Sequence, residues 1–236
     1  MNNIKTINDC VFGDKQSAVL LDHIMSGALP FPSESIGKTG IILYGLPGTG
    51  KTTLAKHLPV LLEEFKSGEK LAMTADFFGV MSSESAKIVG RINTASSVLS
   101  FNKSDIHYFI LDEVDQLTES AMKNLKMLMG TRFNLACVMT TNYLSDIPKD
   151  VQNRCYCLNM NAGPVSQYET ALKKIAFAEF NCTLPAATIQ HCASIGKGSW
   201  RDKMTALTIA CANHSSKSLN VGAIPFPVSI SSGGVK

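Results

Sequence analysis

The chain has 236 residues, of which 45% are hydrophobic and 17% charged, which gives enough apolar material for one large or two small domains and excludes a disordered chain. Lys and Arg number 22 against 19 Asp and Glu, a net charge of +3, so any nucleic-acid surface must be a local patch. No apolar run approaches the roughly 20 residues of a membrane span. The opening stretch MNNIKTINDC lacks the apolar core of an export signal, which predicts a cytoplasmic protein.

In chain order, residues 1–36 read as an N-terminal arm with a helix, in which Asp14 caps Gln16–Met25 and Gly27, Pro30 and Pro32 end it. Gly40–Tyr44 is a short apolar strand, followed by a Gly-rich turn and a helix from Lys51 to about Phe65. Lys70–Thr74 reads as a second strand. Ser83–Leu99 reads as a helix with Ile88, Ile92, Ala95 and Leu99 on one face. Tyr108–Leu111 does not alternate, so it predicts a strand buried on both sides. A helix at Glu119–Met129 and buried strands at Leu135–Thr140 and Cys155–Met160 follow. This alternation predicts an α/β fold, a five-stranded parallel sheet with helices on both faces, over residues 1–162. Beyond Gly163 the pattern is helical only, which predicts a small all-α domain over 163–214. The stretch 215–236, rich in Ser and Gly, reads as a flexible tail, with Ile224–Pro227 as a candidate docking segment.

Seven cysteines without an export signal predict reduced, mostly buried thiols. Cys155 and Cys157 fit one strand that points both thiols to one face. A zinc site needs a second such pair, and the sequence has none.

Gly45-Leu46-Pro47-Gly48-Thr49-Gly50-Lys51-Thr52 matches the phosphate-loop pattern in its proper context, strand before and helix after. Glycines let successive N–H groups turn inward, and the helix N-terminus adds partial positive charge. Lys51 then reaches the β- and γ-phosphates of ATP, and the Thr52 hydroxyl ligates Mg²⁺. Such a loop needs a carboxylate on the next strand end for Mg²⁺. Asp112 fits, with Glu113 beside it as general base for the attacking water. Asp115 either extends this acidic turn or caps the next helix. Asn142, with Thr141 as the alternative, ends the neighbouring strand, where a polar side chain can hold the lytic water or the γ-phosphate.

These residues resemble the AAA+ ATPases and, within them, the clamp-loader ATPase subunits. The likeness rests on Gly45–Thr53, Phe109–Asp115 and Thr141-Asn142, on Ile147–Cys155 with Asn153 where that family has Ser, on Gly198-Ser199-Trp200-Arg201, and on Val11-Phe12-Gly13. The resemblance implies that Val11, Phe12 and Gly13 pack on adenine. It implies that Thr53 belongs to the nucleotide loop and that Arg201 touches the nucleotide from a lid helix. Arg154 becomes an arginine finger, reaching the ATP of a neighbouring subunit in a ring or spiral. DNA contacts are implied around Thr74-Ala75-Asp76 and on the following helix, where Lys87 and Arg91 lie four residues apart with Ser82 and Ser83. A sliding clamp or another replication protein is the implied partner. Three departures stand out: Leu46 replaces a proline, Met122 replaces a glutamine, and no collar domain follows the lid.

The resulting expectation is an ATP-hydrolysing oligomer that acts on DNA in replication. The alternative is a remodeller or a helicase-loading or packaging ATPase with a protein client. Its threading loop would be Asp76-Phe77-Phe78-Gly79. A nucleotide-binding subunit with little turnover fits poorly with Glu113, Arg154 and Arg201 all in place.

Overall fold

The computed structural model describes residues 10–71 and 75–218. Its element order is α1 (Lys15–Met25), β1 (Gly40–Tyr44), α2 (Lys51–Ser67), β2 (Asp76–Gly79), α3 (Ser85–Ala95), β3 (His107–Asp112), α4 (Glu119–Thr131), β4 (Leu135–Thr141), α5 (Lys149–Gln152), β5 (Cys155–Asn159), α6 (Val165–Phe180), α7 (Ala186–Ser194) and α8 (Trp200–Ser218). The five strands form one parallel sheet in the order β2-β3-β4-β1-β5. Every strand therefore ends at the same edge, and each β-to-α turn opens there.

The sheet is buried on both faces, which is why its central strands do not alternate. All seven residues of β4 are buried. One core layer joins the sheet to α3 and α4 through Ile88, Ile92, Leu125 and Met129; the other joins it to α1 and α2 through Leu21, Leu54 and Leu58. A third apolar cluster lies within α6–α8, built on Tyr168, Leu172, Ile189 and Leu207, with Val11 of the N-terminal segment joining it. The Asp14 carboxylate caps α1 by accepting from the Ser17 N–H at 2.7 Å.

Three elements differ from the sequence reading. The second strand is Asp76–Gly79, not Lys70–Thr74; Lys70 and Leu71 are irregular, and 72–74 lie outside the described residues. At 76–79 the register sets Phe78 opposite Leu111 and stacks it on Phe109, which buries it. Asp76–Gly79 is thus a strand rather than a threading loop, and Ala75-Asp76 lead into it instead of following it. Helix α3 ends at Ala95: the Ser97 and Val98 N–H groups turn to the carbonyls three residues back, Thr94 and Ala95, and Leu99 stands 81% exposed. Helix α8 runs on to Ser218, so 215–218 are helical rather than tail; Ile224–Pro227 lie outside the described residues.

Cys155 and Cys157 do share one face of β5, and Cys137, Cys155, Cys182, Cys192 and Cys211 are buried. Met122 is buried in the layer between α4 and the sheet. No helix among the described residues is long and apolar enough to cross a membrane.

Candidate nucleotide site

At the C-terminal edge of the sheet, β1 turns through Gly45–Gly50 into α2. Gly50 is the N-cap of α2 with φ 94°, a left-handed conformation that only glycine adopts freely, and no side chain caps the helix there. The helix start is therefore open to an anion. Gly48 has φ 80°, and a Cβ on it would lie 2.7 Å from the Ser199 hydroxyl. The loop and the start of α8 are thus in direct contact.

Lys51 is buried inside this turn. Its Nζ donates to the Gly45 carbonyl at 2.6 Å, to the Leu46 carbonyl at 2.9 Å and to Asn142 Oδ1 at 3.1 Å. Burial pulls its pKa below the ordinary lysine value, and the carboxylates of Asp112, Asp115 and Glu113 partly restore it. Asn142 emerges from the end of β4. Its alternative, Thr141, is buried and donates instead to the Tyr143 carbonyl.

The neighbouring β3 supplies the acidic groups. Asp112 Oδ1 accepts from the Thr52 and Thr140 hydroxyls, each at 2.7 Å, and the Thr140 oxygen accepts from the Glu113 N–H at 3.0 Å. Glu113 has φ 60° and ψ 50°, a strained backbone for a residue with a Cβ, of the kind that concentrates at functional sites. Its side chain is exposed, whereas Asp112 is half-buried. Asp115 Oδ1 is a buried acceptor with no partner, so this turn has acceptor capacity for a cation. Among the described residues no three His, Cys, Asp or Glu side chains converge as a ready-made metal cage. Oxygen acceptors of this kind fit an oxygen-loving divalent ion, which the Thr52 and Asp112 oxygens would hold.

Val11 and Phe12 are buried on either side of the junction between the helical region and the sheet, and the Gly13 N–H donates to the Asn159 carbonyl. A cavity of about 570 Å³ beside them is lined by Ala18, Asp22, Gln167 and Thr170 and by no phosphate-loop residue. Arg201 is exposed in the first turn of α8, one residue after Trp200, whose N–H donates to the Gly48 carbonyl at 2.7 Å.

The remaining predicted residues lie elsewhere. Arg154 stands just before β5, at the opposite edge of the sheet: its carbonyl accepts from Thr39 and Gly40 at the start of β1. Its guanidinium lies over Gly130 of α4 and donates to the Asp150 carbonyl at 3.1 Å. Lys87 and Arg91 are both exposed on α3, as are Ser82 and Ser83 before it. Lys87 pairs with Glu84 at 3.4 Å, and the Arg91 guanidinium sits 4.8 Å from the Phe78 ring centroid.

Three contributors have no role in the sequence reading. Thr140 orients Asp112, Asn161 Oδ1 accepts from the Leu46 N–H at 3.0 Å, and Trp200 bonds the loop. Trp200 carried a signal, as the chain's one tryptophan beside Arg201.

Comparison with known proteins agrees with this geometry. A sequence model of the ATPase family associated with various cellular activities (AAA) matches residues 41–158, half of the chain. No curated protein matches. Among solved structures the chain is similar to RuvB of Thermotoga maritima, the Holliday junction branch migration motor, with a TM-score of 0.59 at 16% identity. Two variant forms of that protein give TM-scores of 0.58 and 0.60 at 17% and 15% identity. The three matches cover 84–86% of this chain and 61–64% of the other, so this chain spans less than two thirds of RuvB's length.

Proposed function

The chain belongs to the ATPase family associated with various cellular activities, and from that premise we propose that it works as an oligomer acting on DNA in replication, in the manner of a clamp-loader subunit. Membership makes it a nucleotide-binding ATPase with a phosphate loop. The assignment of individual roles, of DNA and of the assembly is our reading.

In that reading Gly45–Thr53 cradle the phosphates and Lys51 exchanges its carbonyl partners for phosphate oxygens. Thr52 and Asp112 would hold Mg²⁺, which would supply charge neutralisation for the transferred phosphoryl group. Glu113 takes the proton of the attacking water, and Asn142 holds that water or the γ-phosphate beside Lys51. Val11, Phe12 and Gly13 border the base. Residues 163–214 act as the lid, with Arg201 facing the nucleotide.

One observation carries the oligomeric reading: the phosphate loop and Arg154 lie at opposite ends of neighbouring strands. β1 spans five residues, about 16 Å at the rise of a strand. Arg154 therefore cannot serve its own loop, and it suits a neighbour's. The planar, permanently charged guanidinium matches a phosphoryl group as charge develops on it. DNA is supported by the exposed Ser82, Ser83, Lys87 and Arg91 along α3, and by the likeness to a protein named as a branch migration motor. Buried, unoxidised thiols suit the cytoplasm.

A second reading, a remodeller or a helicase-loading or packaging ATPase with a protein client, draws on a different observation. Val98, Leu99 and Phe101 are 62%, 81% and 82% exposed on the loop after α3. That loop is pinned by Arg132 to Ser97, by Asn102 to the Ile106 carbonyl and by Ser104 to Glu63. A rigid loop that presents three apolar side chains to water suits protein docking.

The test is ATPase rate against protein concentration, with and without primed DNA. Rates per subunit that rise with concentration and rise again with DNA support the proposal. A DNA-independent rate that responds to a protein partner, and that falls with Leu99→Ser and Phe101→Ser, favours the second reading.

A further inference from the structure

Lys203 lies in the first turn of α8 and is only 2% exposed, one of the largest fully buried side chains in the molecule. Its Nζ donates to the Ala193 carbonyl at 2.5 Å and to the Ile195 carbonyl at 2.6 Å, and sits 4.4 Å from the Tyr168 ring centroid. Those carbonyls belong to the end of α7 and the turn after it, where helix carbonyls lack intrahelical partners and the helix dipole favours a cation. Burial pulls the Lys203 pKa down, and Asp202 opposes this. A buried cation is costly, and an apolar side chain of similar volume would fill the same space without that cost. Filling the core is therefore not a sufficient reason for a lysine here.

What the ammonium adds is direction. The turn it grips, Ile195–Gly198, is unusual: Gly196, Lys197 and Gly198 all have positive φ. Tyr168, beneath the ammonium, also donates its hydroxyl to the Gly198 carbonyl at 3.4 Å. The residues that leave this turn are Ser199, packed on Gly48, Trp200, bonded to the Gly48 carbonyl, and Arg201. The placement of all three is set by the turn.

We propose that Lys203 is a positioning residue for ATP hydrolysis: its two bonds fix the turn so that α8 meets the phosphate loop with Trp200 on Gly48 and Arg201 toward the γ-phosphate. This rests on the reading of Arg201 as facing the nucleotide.

The experiment compares Mg-ATP and Mg-ADP affinities by calorimetry on the full chain for wild type, Arg201→Ala, Lys203→Met and the double variant. Loss of a charged contact to the γ-phosphate lowers the preference for ATP over ADP by about tenfold or more. Lys203→Met should lower it in the same direction as Arg201→Ala and add nothing in the double variant. If Arg201→Ala lowers the preference while Lys203→Met, folded by circular dichroism, keeps it within twofold, Lys203 is structural and the proposal falls. If Arg201→Ala itself changes nothing, the reading of Arg201 fails. The Trp200 fluorescence response to ATP then decides on Lys203: lost in Lys203→Met it supports positioning of the contact, intact it overturns it. Should Lys203→Met not fold, Lys203→Gln, which can reach at most one carbonyl, carries the same comparison.

Discussion

The backbone N–H of Trp200 donates to the Gly48 carbonyl at 2.7 Å, which ties the first residue of α8 to the middle of the phosphate loop. The indole edge also lies where a Cβ on Gly50 would meet it at 3.4 Å, and the ring packs edge-on against Tyr168. Trp200 is the chain's single tryptophan. Intrinsic fluorescence therefore reports on the loop without a label. Titration with Mg-ATP should change it saturably. Lys51→Ala, which removes the cation at the centre of the turn, should abolish the change and the binding seen by calorimetry. Undiminished binding by Lys51→Ala would remove the loop from the nucleotide site.

Glu113→Gln keeps the size of the side chain and its N–H bond to Thr140 but removes the base. Affinity for ATP should be unchanged, and turnover should fall by about 10²–10⁴. Steady-state phosphate release measures it. Full turnover by this variant would assign the base to another group.

Lys87 and Arg91 each have an intramolecular partner, Glu84 and Phe78. Lys87, Glu84 and Arg91 are all exposed, so phosphates can displace these contacts. Lys87→Ala with Arg91→Ala should weaken DNA binding and flatten the salt dependence of log affinity by about 2. An unchanged slope takes α3 out of the DNA surface.

The phosphate loop, Asp112, Glu113 and Asn142 were legible because their chemistry is local. Each ends a strand whose apolar run is buried on both faces, and parallel strands bring those ends together. The second strand was not legible. Leu71 and its neighbours are as apolar as Phe77-Phe78, and the choice is made by the stacking of Phe78 on Phe109 across the sheet. Leu99 keeps the helical spacing of Ile88 and Ile92, yet the chain leaves the helix at Ser96, and Ser97 donates its hydroxyl back to the Asn93 carbonyl. Lys203 looks like a surface lysine in sequence. Only the packing of α6, α7 and α8 encloses it.

Glu63 is fully buried at the far side of the sheet and gathers three donors: the Ser104 N–H at 3.0 Å, the Ser104 hydroxyl, and the Tyr108 hydroxyl at 3.1 Å. Burial pushes its pKa up, but the Ser104, Ser67 and Tyr108 bonds outweigh it and hold the carboxyl below its ordinary value. A carboxylate with a depressed folded-state pKa contributes stability at neutral pH that is lost as the pH falls through that value. Glu63→Leu should cost about 3 kcal/mol at pH 7, since it strips charged acceptors from buried donors. The difference from wild type should shrink as the pH falls below 4.5, the ordinary value. Denaturant melts across this range check it; a constant difference would mean the loss is one of packing alone.

Arg154 gives the most demanding test. Its guanidinium rests over Gly130 and against the Asp150 carbonyl, contacts a water molecule could replace, so removal should leave the fold intact. It lies at the sheet edge opposite its own loop, so ATP binding by Arg154→Ala should be near normal. Hydrolysis should nevertheless fall by about 10³–10⁵, the range for a lost arginine finger. Mixing Arg154→Ala with Lys51→Ala should restore part of the rate. Some interfaces in the mixture pair an intact loop from the first variant with an intact arginine from the second, and neither variant alone contains such an interface. The wild-type rate per subunit should also rise with concentration, because turnover needs the contact. If that rate stays flat down to monomeric concentrations and the mixture shows no rescue, Arg154 is a structural residue of the α4–β5 junction, and each subunit hydrolyses ATP with its own residues.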